Sequence, residues 1–207
     1  MSTLTWLITG ASSGQGAELA LAALKAGHRV VATARQVRKA QELLPEIESL
    51  GGVWLALDVT SADAQDIAEQ AVLRHGVDIL VNNAGYGLRG VLEDLRTPFQ
   101  NAVDKPECVM SEAYKGTMAD LTAQRITAGH GRQAGDPKKA AQAIVEVVTG
   151  TGRGSGLEEV QRLPLGRDAV QRAYVKIRSL TEDVERTKEV AEWAVFDESY
   201  DGYPPLE

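Results

Sequence analysis

Along the first 85 positions, apolar residues fall in short runs separated by stretches with helical spacing. The segments LTWLIT (4–9), HRVVATAR (28–35), GVWLALDV (52–59) and VDILVNN (77–83) have strand length. The fourth is apolar on both faces, as a strand inside a parallel sheet must be. Between the first two, QGAELALAALKAG (15–27) places Ala17, Leu21 and Leu24 at helical intervals and ends on Gly27, a residue suited to a C-cap. Residues 36–50 read as a charged amphipathic helix interrupted by Pro45, and TSADAQDIAEQAVLRHG (60–76) opens on N-capping residue types and closes on glycine. Strand and helix thus alternate as βαβαβαβ with short connections. The pattern predicts an α/β fold, a Rossmann-like doubly wound parallel sheet.

That rhythm stops after Gly85. Residues 86–111 contain two glycines and two prolines, with no convincing strand or long helix. Helical spacing resumes over 112–128 and again over 137–149, where Pro137 suits a first turn. The glycine-rich link GTGRGSG (150–156) leads to VQRLPLG (160–166), with a candidate strand at 160–165. A long helix over 167–195 follows, rich in i,i+4 charge pairs such as Glu182 with Arg186, and Glu185 with Glu189, which is unfavourable. The expected organisation is one domain over 1–207: a nucleotide-binding half (1–85), a junction (86–111) and a C-terminal helical part (112–207).

Composition narrows the class without changing this outline. The 207 residues, 43% hydrophobic and 25% charged, suit one globular domain with a substantial core. A net charge of −7 argues against nucleic acid or an anionic membrane as the main partner. Cys108 is the only cysteine, so there is no disulfide framework, and a reducing, cytoplasmic setting is expected. His28, His75 and His130 stand near element ends or in loops without metal spacing, and solvated roles are expected for them.

TGASSGQG (9–16) carries the strongest chemical signal. Strand, glycine-rich turn and helix start follow one another in the order that turns backbone N–H groups and a helix dipole toward a diphosphate. Gly10 permits the tight turn, Gly14 close backbone approach, and Gly16 packing of the helix on the strand. The spacing T-G-x-x-x-G-x-G, with ATAR ending the second strand, LDV the third and NNAG the fourth, resembles the short-chain dehydrogenase/reductase family. The resemblance implies that Ser12, Ser13 and Gln15 lie along the pyrophosphate and adenosine ribose. It places Asp58 and Val59 at the adenine, and has Asn83, Ala84 and Gly85 line the cofactor. Asp58 has a second reading, a strand-end carboxylate that caps the next turn. Asn82 is expected to satisfy backbone groups at the sheet end. Arg35 occupies the place of an acid that would bond the NAD ribose; a guanidinium there pairs with a 2′-phosphate, favouring NADP(H), or is a solvated arginine. Arg38 either assists it or faces solvent.

In this family a tyrosine acts as general acid/base, and a lysine four residues later lowers its pKa and holds the nicotinamide ribose. A serine on the fifth strand orients the substrate oxygen. The i,i+4 spacing puts tyrosine and lysine on one helix face. None of Tyr86, Tyr114, Tyr174, Tyr200 and Tyr203 has a lysine four residues on. In SEAYK (111–115) Tyr114 and Lys115 are adjacent and point about 100° apart on a helix. YVKIR (174–178) has Arg178 at the right offset but on the late helix. No catalytic residue is assigned.

The resemblance resumes beyond a break at Asp94–Leu95. LRTPFQNAVDKPECVMSEAYKGT looks like the tract after the family's P-G motif, where Thr97 would meet the carboxamide, although P-G itself is absent. HGRQAGDPKKAAQAIVEVV and RLPLGRDAV look like the family's late helix and seventh strand. Missing are a helix, the fifth strand, the catalytic helix and the sixth strand, on the order of 70–100 residues. The first four strands would form a 3-2-1-4 half-sheet whose fourth strand becomes an edge; pairing of 160–165 beside it is the most economical repair. The resemblance therefore implies an oxidoreductase-family, NADP(H)-binding protein, with a small carbonyl or alcohol as the family's substrate. Two alternatives stand beside it: a non-catalytic binding or interaction protein that pairs with an intact relative or with itself, and a splice or gene-model product of an active reductase.

Overall fold

The computed structural model describes residues 2–85, 112, 115–128, 135–157 and 159–193. They fall into two compact units, 1–161 and 162–207. The junction 86–111, with Thr97, Cys108 and the Asp94–Leu95 break, and also Tyr114 and His130, lie outside the described residues.

Four parallel strands, β1 (Thr5–Ile8), β2 (Arg29–Ala34), β3 (Val53–Ala56) and β4 (Ile79–Val81), form one sheet in the order β3-β2-β1-β4. Trp6 stands beside Val30 on one side and Ile79 on the other, and Leu7 beside Val31 and Leu80. The Rossmann-like half-sheet expected from the spacing is therefore present. Helices α1 (Gly14–Lys25) and α4 (Ala64–His75) make two of the crossovers. Pro45 divides the intervening helix into α2 (Val37–Leu43) and α3 (Glu46–Ser49), since proline removes a donor and clashes with the preceding turn. Gly76 ends α4 in the left-handed region, at φ 61°. The Thr60–Ser61 pair does not cap α4; the helix starts after Asp63.

The two faces of the sheet are covered unequally. Trp6, Ile8, Val30 and Ala32 meet Leu19, Ala20, Ala23 and Leu24 of α1 and Ile47 of α3. The same cluster takes in Ala141 and Val145 of α6 (Pro137–Thr149). A helix from beyond the junction thus completes the main core. Asp136 caps it by accepting from the N–H groups of Lys138 (2.9 Å) and Lys139 (3.3 Å), and Pro137 takes the first turn, where its missing N–H costs nothing. On the opposite face Leu7 and Val31 pack on Ala71 of α4. Cover gives out toward β4, where Leu80 is 54% exposed although its neighbour Leu7 is fully buried. No helical pattern follows β4 in the sequence to shield it.

Two expectations are corrected. Residues 160–165 form no strand; they are exposed and unladdered among the described residues. Pro164 has no N–H to donate to a ladder, which disfavours the expected pairing beside β4. The helix expected over 112–128 is α5 (Met118–Ala128). Gly116, at φ 75°, breaks any earlier start, and its N–H donates to Asp120 (2.8 Å) in the first turn of α5. In the second unit, α7 (Arg167–Trp193) is a helix of 27 residues with none buried. Its close ion pair among the described residues is Lys188–Glu192 at 3.8 Å rather than Glu182–Arg186.

The docking of α6 has a measurable weight. Val145→Ala removes buried methyl groups and leaves a cavity, for an expected loss of about 2 kcal/mol in urea denaturation. Val148→Ala, on the exposed side of the same helix, should stay within about 0.5 kcal/mol.

Candidate functional site

The C-terminal ends of β1 and β4 are held together by one hydroxyl. Thr9 Oγ1 donates to the carbonyl of Val81 (3.1 Å) and accepts from the N–H groups of Asn83 and Ala84 (both 2.9 Å). The Thr9 N–H also donates to Val81 O (3.0 Å). The Asn83 amide returns the connection, donating to the carbonyls of Thr9 (2.9 Å) and Gly10 (3.2 Å). Backbone groups leaving both strands are thereby satisfied without water.

This clasp dictates the glycines. Gly10 turns at φ 66°, and a Cβ there would stand 2.9 Å from Ala84 Cα. A Cβ on Gly16 would come 2.4 Å from the Asn83 amide nitrogen and 2.6 Å from Gly10 O. Gly14 differs: it has φ 58°, and its missing side chain would meet nothing within 4 Å. Ser13, the N-cap of α1, is extended and makes no side-chain capping bond, and the first turn carries no acid. The leading N–H groups of α1, at Gly14, Gln15 and Gly16, have no intrahelical acceptors and sit at the positive end of the helix dipole. A cradle of this kind fits a diphosphate. Ser12 is half-buried and Ser13 exposed beside it. The Gln15 side chain donates to Pro137 O (3.3 Å) at the start of α6, so it is tied to that helix rather than aimed into the cradle.

Arg35 and Asp58 follow the neighbouring strands. The Ala11 N–H donates to Thr33 O (2.8 Å) and the Leu57 N–H to Ala34 O (3.1 Å), which continues the strand order to the ends of β2 and β3. Arg35 is exposed there. Asp58 Oδ1 accepts from the N–H (3.0 Å) and hydroxyl (2.8 Å) of Thr60, so the carboxylate does cap its turn. Those two bonds, the N–H first, and then the Arg35 charge hold Asp58 below the usual carboxylate range. Val59 is exposed next to it. The sequence-predicted residues thus gather along the C-terminal ends of adjacent strands, where open α/β sheets bind ligands. Ala84 and Gly85 continue from β4 at the same end.

The sequence alone assigns Thr9 no role; a hydroxyl directly before the first glycine of TGASSGQG is the available signal. The backbone-satisfying role expected of Asn82 belongs to Asn83, and Asn82 is exposed. His28 is half-buried rather than solvated: its Nδ1 accepts from the Leu4 N–H (3.3 Å) and its ring lies 6.1 Å from that of Trp6. Lys115 pairs with Glu112, and Tyr174 is exposed on α7.

Thr9→Val keeps the shape but leaves the Asn83 and Ala84 N–H groups without an acceptor. It should cost about 1–3 kcal/mol in chemical denaturation. For Asp58, bonding favours the charged form, so its contribution is complete above the ordinary aspartate pKa and is lost as pH falls through the lowered one. Asp58→Asn should therefore flatten the stability profile below about pH 4, read by thermal melts across an acid series.

The comparisons agree with this geometry. The short chain dehydrogenase family matches residues 5–105. The oxidoreductase claN of Passalora fulva is 58% identical over 91 residues, covering 44% of this chain and 42% of that protein. A probable NADP-dependent dehydrogenase of Dichelobacter nodosus is 42% identical over 86 residues, covering 40% of this chain and 78% of that protein. A solved short-chain dehydrogenase from Streptomyces avermitilis shares the fold, with a TM-score of 0.68 at 22% identity over 94% of this chain and all of that one. The chain spans about two fifths or less of the length of several curated relatives, claN among them. A phosphate loop clasped to the fourth strand, a 3-2-1-4 sheet and these matches together mean that the chain belongs to the short-chain dehydrogenase/reductase family.

Proposed function

We propose that this chain binds NADP(H) through its adenosine-diphosphate end and does not itself carry out hydride transfer by the family's usual mechanism. The observation that carries the reading is the meeting of an uncapped α1 N-terminus, an open Gly14, Arg35 and Asp58 at one end of the sheet. In this reading the N–H groups of Gly14, Gln15 and Gly16, with Gly10 and the hydroxyls of Ser12 and Ser13, hold the pyrophosphate. Arg35 pairs with the 2′-phosphate, and Asp58 and Val59 meet the adenine. Asn83, Ala84 and Gly85 form the wall at β4, with Asn83 contributing through the loop it fixes.

NADP is favoured over NAD because a cation, and no acid, closes β2. The Dichelobacter nodosus relative, 42% identical, carries NADP dependence in its name. A bound cofactor would supply the hydride, but the chain has no Tyr-x-x-x-Lys to move the proton or hold the nicotinamide ribose. Exposure of Leu80 beside the fully buried Leu7 favours a second reading, in which the β4 side pairs with an intact relative.

Calorimetric titration tests the first reading. NADPH should bind more tightly than NADH, and Arg35→Ala should weaken NADPH about 10–100-fold while leaving NADH within about twofold, the loss expected for one charge-assisted phosphate contact. A panel of aldehydes and ketones should show no turnover. Absence of NADPH binding would overturn the binding reading, and robust turnover the non-catalytic one. Stable co-purification with a full-length relative, abolished by Leu80→Lys, would support the second.

A further inference from the structure

The long helix α7 repeats every seven residues. Val170, Ile177, Val184 and Ala191 stand seven apart, and Ala173, Leu180 and Thr187 each follow three residues after the first three. With the first series at a and the second at d of a heptad, none of the charged residues of Arg167–Trp193 occupies a or d. They fall on b, c, e, f and g. An a/d seam running for more than three heptads between charged flanks, apolar except for Thr187, is the pattern of a coiled coil, with a period of 3.5 rather than the 3.6 of a helix packed on a globular core. At about 1.5 Å per residue the helix is about 40 Å long. Its seam is uncovered: Ile177 is 58%, Leu180 49% and Val184 61% exposed.

We propose that α7 pairs, parallel and in register, with the α7 of a second copy of this chain. β-Branched residues at a with leucine at the central d position suit two strands rather than three or four. The charges are self-complementary. Asp183, at g, faces Lys188, at e of the following heptad in the other copy, and the two-fold axis repeats the pair. Lys188 also lies 3.8 Å from Glu192 of its own helix, between exposed side chains, so it can serve both carboxylates. Val175 lies on the same helix at f, outside the seam, and is 68% exposed. It separates a specific seam from general stickiness.

Sedimentation equilibrium on the purified full chain tests the proposal. A dimer is expected, and Ile177→Asp should weaken it at least tenfold. Val175→Asp, an equally exposed apolar position, should leave the dissociation constant within about twofold. Thermal unfolding of the first unit, followed through its tryptophans Trp6 and Trp54, should be unchanged by both. In a Cys108→Ser background, Leu180→Cys should give a covalent dimer on mild oxidation, because d residues meet their own copies only in a parallel pair. A monomer at all concentrations, a dimer indifferent to Ile177→Asp, or equal sensitivity to Val175→Asp would each overturn the proposal. A dimer in which Leu180→Cys fails to cross-link would overturn its parallel register.

Discussion

The Thr9 hydroxyl is the point on which the C-terminal end of the sheet depends. Parallel strands need long crossovers, so their C-terminal ends have no hairpin to tie them together. Here one side chain serves as donor to Val81 and acceptor for Asn83 and Ala84, and the Asn83 amide answers by bonding Thr9 and Gly10. The result is a rigid floor under the turn. Gly10 and Gly16 are then fixed by what lies against them, and Gly14 is the glycine whose side-chain space stays open. Within one loop, two glycines make the structure and one leaves room for a ligand.

The core above that floor draws on both halves of the sequence. The helix α6 brings Ala141 and Val145 into the cluster formed by Trp6, Ile8, Leu19 and Leu24, and the Gln15–Pro137 bond joins its start to the phosphate loop. One face of the sheet is thereby covered. Among the described residues the other face has no such late helix, and its cover ends at Leu80.

Much of this was legible in advance. Strand-length apolar runs and glycine punctuation located all four strands, because a parallel sheet buries its strands on both faces and writes that burial directly into composition; the order β3-β2-β1-β4 followed from the family resemblance. The Pro137 start and Gly150 end of α6 were visible for the same local reason: caps are set by neighbours in sequence. What escaped depended on distant partners. Assigning 160–165 as a strand presumed pairing beside β4, a distant contact that the local sequence does not decide. His28 stands at an element end in the sequence, and only its contacts with Leu4 and Trp6 draw it inward. The Asn82–Asn83 pair could not be ordered by residue type, since alternation along the chain end decides which amide turns inward.

The reach of α6 also sets a schedule for synthesis. Its contact with α1 spans 122 residues between Gln15 and Pro137. The four strands end at Val81, and α6 is complete only at Thr149. At roughly 5–20 residues per second, the ribosome leaves the half-sheet waiting on the order of 3–14 s for the helix that closes its main core. During that interval Trp6, Ile8 and Leu24 lack part of their cover. The nascent chain therefore exposes most of its core after its glycine-rich turn has already emerged.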